Sequence, residues 1–249
     1  MSSYGRHAAV RAKVDVLIAN SGSEPVNVTT WQIRHPLFEP IPPVERESVL
    51  PADGATRIVP VPFGKPLCDR TDGDADGAVV VLQVVGPDGA ERETVVPLED
   101  REPGLVRAHR LACAAERVTA IAALDLAPPY ERDTADGRPR LRTRLALDRR
   151  GPGTLTVVGG SLTGNILFTV SGMTRDLMLG DEEASASTPV DVAATRCEAH
   201  ALIESKTSFT FPLFAAVDGG EPTHVQMTVS PGAREALQSL LDDTCGPDV

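Results

Sequence analysis

Hydrophobic and polar residues alternate with a period near two along most of this chain. Val10, Ala12, Val14, Val16 and Ile18 interleave with Arg11, Lys13 and Asp15, the pattern of a strand with one buried face. Asn20-Ser21-Gly22-Ser23 is a turn signal, and the next strand, Val26 to Ile33, is alternating and rich in β-branched residues. After a second turn at Pro51-Ala52-Asp53-Gly54, the stretch Arg57 to Phe63 reads as a strand whose Pro60 and Pro62 place it at an edge or a bulge. Ala78 to Val85 is almost continuously apolar, as a central strand would be. Pro87-Asp88-Gly89 is a hairpin signal from which Glu91 to Pro97 returns. A helix over Leu105–Ala112 is predicted next.

The second half repeats this order. Strands are predicted over Leu141–Asp148, Thr154–Leu162, Asn165–Val170, Ser187–Val192, Ser208–Val217 and Thr223–Val229. A closing helix spans Ala233–Leu241, with Ser230-Pro231 as N-cap and first helical residue. The repeat has a fixed step. Gly22 and Gly151, Val28 and Val157, Pro60 and Pro189, and Cys68 and Cys197 are each 129 positions apart. The step holds from Gly22 to Cys68 and drifts to 132 at Cys113 and Cys245. Short strands at this spacing predict an all-β chain of two tandem Ig-like β-sandwich domains, residues 1–115 and 116–249, each closed by one short helix. The stretch Arg117–Leu126 reads as an extra leading strand of the second copy, one the first copy lacks or has shortened. The chain therefore has the look of a processed form of a longer, exported precursor, with a lipid anchor as one way to hold it.

The repeat also selects among the three pairings that four cysteines allow. Each copy has one cysteine after its middle strands and one after its closing helix, so Cys68–Cys113 and Cys197–Cys245 are the expected bonds. Paired disulfides point to an oxidising compartment and hence to export.

Composition then removes function classes. The net charge of −11 argues against nucleic acid and against an anionic membrane surface, since phosphate binding needs clustered Lys and Arg. No segment reaches the roughly 18 apolar residues of a membrane span. Basic residues are nearly all Arg, which with the Ala, Gly and Pro content has the look of a high-GC actinobacterial genome. Gly159-Gly160-Ser161-Leu162-Thr163-Gly164 is not a nucleophile elbow, because Thr163 stands where the last glycine belongs. Five scattered histidines, His7, His35, His109, His200 and His224, form no catalytic constellation, and the chain reads as no enzyme. Trp31 reads as core, on a phase that depends on a one-residue bulge.

Two places could bind. Asp72-Gly73-Asp74-Ala75-Asp76-Gly77 alternates carboxylates around a bendable loop, the arrangement a hard cation such as Ca²⁺ requires, although Gln83 stands where a bidentate Glu is expected. His200, Glu204 and Lys206 form a polar group after Cys197, either ordering that segment or binding through it. The stretch Cys197-Glu198-Ala199-His200-Ala201, continuing to Lys206 and to Phe211-Pro212, resembles one in exported actinobacterial proteins of unknown function with tandem Ig-like domains. There the run begins Cys-Asp-Pro-His-Ala. The resemblance implies export and paired sandwiches, and no activity. The expected function is a non-catalytic, exported module that binds a protein partner or plays a structural part at the cell envelope. It needs no cofactor. The alternative is an extracytoplasmic Ca²⁺- or small-ligand-binding protein that uses Asp72–Asp76.

Overall fold

In the computed structural model, residues 3–4, 12–86, 88–99, 104–135, 137–197 and 208–246 are described. The chain divides into two compact units, Met1–Cys113 and Ala114–Val249.

The first unit contains β1 (Ser3–Tyr4), β2 (Lys13–Ala19), β3 (Val26–Arg34), β4 (Val44–Leu50), β5 (Thr56–Pro62), β6 (Val79–Val85) and β7 (Glu91–Pro97). Its two sheets run β1-β2-β5 and β4-β3-β6-β7, with all pairings antiparallel. This is the Ig-like division of strands between two facing sheets. The predicted alternation builds the core: Val14, Val16 and Ile18 from β2, Val59 and Val61 from β5, and Val80 and Leu82 from β6 turn inward. A bulge between Val28 and Thr30 resets the phase of β3. An extra residue in one strand shifts every later side chain to the opposite face, so Val28, Trp31 and Ile33 all point into the core. Trp31 is 1% exposed, and its indole Nε1 donates to the Arg46 carbonyl at 3.1 Å.

The second unit contains β8 (Ala122–Ala135), β9 (Arg138–Arg149), β10 (Leu155–Val157), β11 (Phe168–Ser171), β12 (Leu177–Leu179), β13 (Ser185–Ala194), β14 (Thr210–Val217) and β15 (Thr223–Thr228). Its sheets run β8-β9-β13-β11 and β12-β10-β14-β15. Phe168, Phe211, Leu145 and Leu213 lie at the centre of its core.

The register repeats pair by pair. The β2–β5 ladder runs from Lys13↔Pro62 to Ala19↔Thr56, and the β9–β13 ladder contains Arg142↔Asp191 to Asp148↔Ser185, each partner 129 positions further on. Val26↔Leu50 on β3–β4 recurs as Leu155↔Leu179 on β10–β12. Past the cysteines the step is 131: Val79↔Pro97 becomes Thr210↔Thr228. Corner contacts recur as well. Asn20 Nδ2 donates to the Glu24 carbonyl at 2.7 Å, and at the matching place Arg149 Nη1 donates to the Gly153 carbonyl at 3.0 Å.

Two expectations need correction. The helices are not short. Helix α1 covers Gly104–Ile121, 18 residues, and α2 covers Pro231–Cys245, 15 residues, with Ser230 Oγ accepting from Ala233 N as the cap. The extra leading strand does not begin at Arg117, because Arg117 to Ile121 complete α1 and β8 starts at Ala122. That run is Val-Thr-Ala-Ile, and its β-branched residues look like strand, yet Val118 and Ile121 stand three apart and both enter the second core. Helical spacing onto an apolar surface overrides local propensity. The counterpart of β8 in the first copy is the short β1, where Ser3 and Tyr4 pair with Val16 and Asp15 on β2, the shortened form of the two that were expected.

Candidate functional site

Both expected disulfides form, Cys68–Cys113 with Cα atoms 5.4 Å apart and Cys197–Cys245 with Cα atoms 5.2 Å apart. They sit in different surroundings. Cys113 lies in α1, is 6% exposed, and has His109 one turn before it, with Nε2 at 3.5 Å from its sulfur. Phe38 meets the His109 ring edge-on at 5.8 Å. Beside the other bond, among the described residues, the Arg196 carbonyl oxygen lies 4.0 Å from Cys245 Sγ.

The acidic loop is built differently from a cation site. Asp72–Asp74 form a single 3-10 turn. Arg110 Nε, on α1, donates to Asp72 Oδ2 at 2.6 Å, and Nη2 donates to the same oxygen. This guanidinium holds the Asp72 carboxyl below its ordinary range. Asp74 folds back on the turn, its Oδ2 accepting from Thr71 N at 2.8 Å and Thr71 Oγ1 at 3.2 Å, and these bonds lower its pKa too. Among the described residues no group of three or more His, Cys, Asp or Glu side chains is placed to hold a metal ion. The expectation that Asp72, Asp74 and Asp76 converge on Ca²⁺ is therefore not met. A cation shell needs carboxylate oxygens turned to one point, and here one carboxylate is directed to an arginine and another to its own turn. His200, Glu204 and Lys206 lie outside the described residues.

A concavity of about 570 Å³ opens instead in the second unit, lined by Phe209, Val229, Pro231, Arg234, Gln238 and Asp242. Its cation is already engaged, since the Arg234 guanidinium carbon stands 5.1 Å from the centre of the Phe209 ring.

The two copies differ on the outer face of the β3- or β10-containing sheet. In the second unit Met178 on β12 pairs with Thr156 on β10, which pairs with Ala216 on β14. One row along, Phe214 pairs with His224, their rings edge-on at 5.7 Å. Met178 is 63% exposed and Phe214 46%. In the first unit the places of Phe214 and His224 are taken by Gln83 and Glu93, and the place of Met178 by Val49. One scaffold thus presents a polar pair in one copy and an aromatic pair beside an exposed methionine in the other. Sequence reasoning missed this surface because exposed apolar residues on a strand are not distinguished from buried ones by alternation; only the repeat, used to compare Gln83 with Phe214, would have exposed it. It also missed His109, although His-x-x-x-Cys on a helix puts both side chains on one face.

No protein-family model matches the chain, and no curated protein matches it. A solved structure described as CBD12 from CALX1.2 is similar over 93% of this chain and 82% of that one, at 10% identity and a TM-score of 0.22. A likeness at that level carries no inference about function. Among the described residues no helix is long and apolar enough to cross a membrane.

Proposed function

We propose that the protein is a non-catalytic, exported interaction module of the cell envelope that engages a protein partner through the outer face of β12-β10-β14-β15. The observation that carries this reading is the exposed Met178 and Phe214, with His224 beside them, where the sister unit has Val49 and the polar pair Gln83 and Glu93. Met and aromatic residues are the types enriched where surfaces dock, and burying two such side chains supplies about 1.5–3 kcal/mol each. The two disulfides support an oxidising compartment. The likeness of the Cys197–Pro212 stretch to exported proteins supports the same compartment.

The test is site-specific photo-crosslinking in cells that make the protein, with probes at positions 178 and 214 and controls at 49 and 83. Discrete adducts at 178 and 214, lost from the 178 probe when Phe214→Asp is introduced, support the docking face. Adducts no stronger there than at the controls remove it. Fractionation that finds the mature chain in the cytoplasm with free thiols removes export.

A further inference from the structure

The two disulfides occupy equivalent places, so their surroundings form an internal control. Four residues before Cys113 stands His109; four residues before Cys245 stands Leu241. Both are buried and both are on the helix that carries the cysteine. The histidine is not a passive replacement. Its Nε2 lies 3.0 Å from the Leu67 carbonyl oxygen. A carbonyl can only accept, so that nitrogen carries a proton. The same nitrogen lies 3.5 Å from Cys113 Sγ. That one hydrogen is donated to the Leu67 carbonyl, close enough to Cys113 Sγ to be shared with a thiolate formed there, and the edge-on Phe38 ring packs against the imidazole.

The other sulfur is in the opposite situation. Cys68 is an exposed residue in the turn after Leu67, whereas Cys113 is buried. One cysteine of the bond lies at the surface, and the other has the His109 imidazole beside its sulfur. Both features favour exchange in one direction, since exchange is faster when the attacked sulfur is accessible and the leaving thiolate is stabilised. Among the described residues of the second unit, Leu241 offers no donor, both cysteines are half-buried, and the Arg196 carbonyl turns its negative end toward Cys245 Sγ. That carbonyl opposes a thiolate on Cys245.

We propose that Cys68–Cys113 is a thiol-exchange site, with Cys68 the sulfur attacked and Cys113 the leaving group, and that Cys197–Cys245 is a structural bond. The reactant is a thiolate, from a small-molecule thiol or a cysteine of another protein. Its sulfur bonds to Cys68 Sγ as the Cys68–Cys113 bond breaks, and the electron pair leaves on Cys113 Sγ, where the His109 Nε2 hydrogen is shared with it. A second thiolate attacking the incoming sulfur of the mixed disulfide releases Cys68 as a thiolate. The net change is two thiols oxidised to one disulfide and Cys68–Cys113 reduced to two thiols. His109 acts here as a positioning and stabilising residue.

The experiment treats the full-length, folded chain with excess glutathione, quenches by alkylation at intervals, and follows each bond by peptide mass spectrometry. Cys68–Cys113 is expected to open about ten-fold or more faster than Cys197–Cys245. The first mixed disulfide is expected on Cys68. His109→Leu, which copies the second unit, is expected to slow opening of Cys68–Cys113 by about ten-fold and leave Cys197–Cys245 unchanged. Equal rates for the two bonds, a mixed disulfide on Cys113, or a His109→Leu variant that opens as fast or faster would overturn the proposal. The last result would assign any lability to local loosening. Should His109→Leu not fold, the identity of the glutathionylated cysteine in the unmutated chain decides alone. None of these outcomes bears on the outer face of the second unit, so the two readings stand or fall separately.

Discussion

Residues 35–43 of the first sandwich and 164–172 of the second hold the same place in the repeat and behave differently. In the second, Phe168 to Ser171 form β11, which pairs with Ala194 to Asp191 on β13. In the first, one bridge survives, Phe38↔Pro66, with Glu39 N donating to the Lys65 carbonyl at 2.8 Å. The difference lies in proline. Pro40, Pro42 and Pro43 stand where the second copy has Thr169, Ser171 and Gly172, and Pro62 stands where it has Asp191, the residue that Ser171 pairs with. A ladder cannot continue where both partners lack a backbone N–H. The second copy keeps a single proline on its partner strand, Pro189, and tolerates it because the β11 ladder ends at Asp191, before reaching it. So the facing sheets and their register are fixed by the alternating apolar residues both copies share, while the number of strands in one sheet is set by a handful of prolines.

The largest effect that would break this comparison comes from the disulfides. They close segments of nearly equal length, 45 and 48 residues. Replacing either cysteine pair by serine is expected to cost about 4 kcal/mol in the stability of its own unit, measured by chemical denaturation with Trp31 fluorescence reporting the first unit and circular dichroism the whole chain. A much smaller cost for Cys68–Cys113 would mean that the two bonds differ in equilibrium as well as in reactivity. An intermediate effect is expected from grafting the prolines. Thr169→Pro with Ser171→Pro, which copies the first unit, should remove β11 and cost about 1–3 kcal/mol. Hydrogen exchange should quicken on the β13 amides from 191 to 194 that face β11 and stay slow toward 185, where β9 still pairs. Unchanged protection across β13 would show that proline is not what separates the copies.

The smallest effect is electrostatic. The Asp72 carboxyl titrates below its ordinary range because of Arg110. A carboxylate with a lowered folded-state pKa adds stability above its unfolded value near 3.8, and that contribution is lost as pH falls through the folded value. Both side chains are exposed, so the contribution is small. Stability curves of the parent and Arg110→Ala should run slightly apart above about pH 4 and merge below it. The second copy has no D-x-D-x-D stretch in its sequence, so its transition should not move.

Much of the fold was legible in the sequence because a period of two and a repeat that includes cysteines are strong constraints. Val14, Val16, Val59 and Val61 declared their face, and the pairing of Cys68 and Cys113 followed from position. What stayed illegible depended on packing. The Val-Thr-Ala-Ile run at the end of α1 looks like strand until the surface it covers is known. The D-x-D-x-D motif is compatible with a cation loop until Arg110, 38 residues away, takes one carboxylate. The Phe214 surface is visible only by aligning one copy against the other, and the His109 contact only by reading His-x-x-x-Cys at helical spacing.

The repeat register also says where this chain tolerates added length. From β2 through β5 the two copies never gain or lose a residue, although one stretch there is strand in one copy and proline-rich loop in the other. The step changes between Cys68 and Val79 and their counterparts, and again between β7 and Cys113 and theirs. Those junctions are the natural places to insert an affinity tag, a fluorophore or a new loop. An insertion between β2 and β5 would have no precedent in either copy.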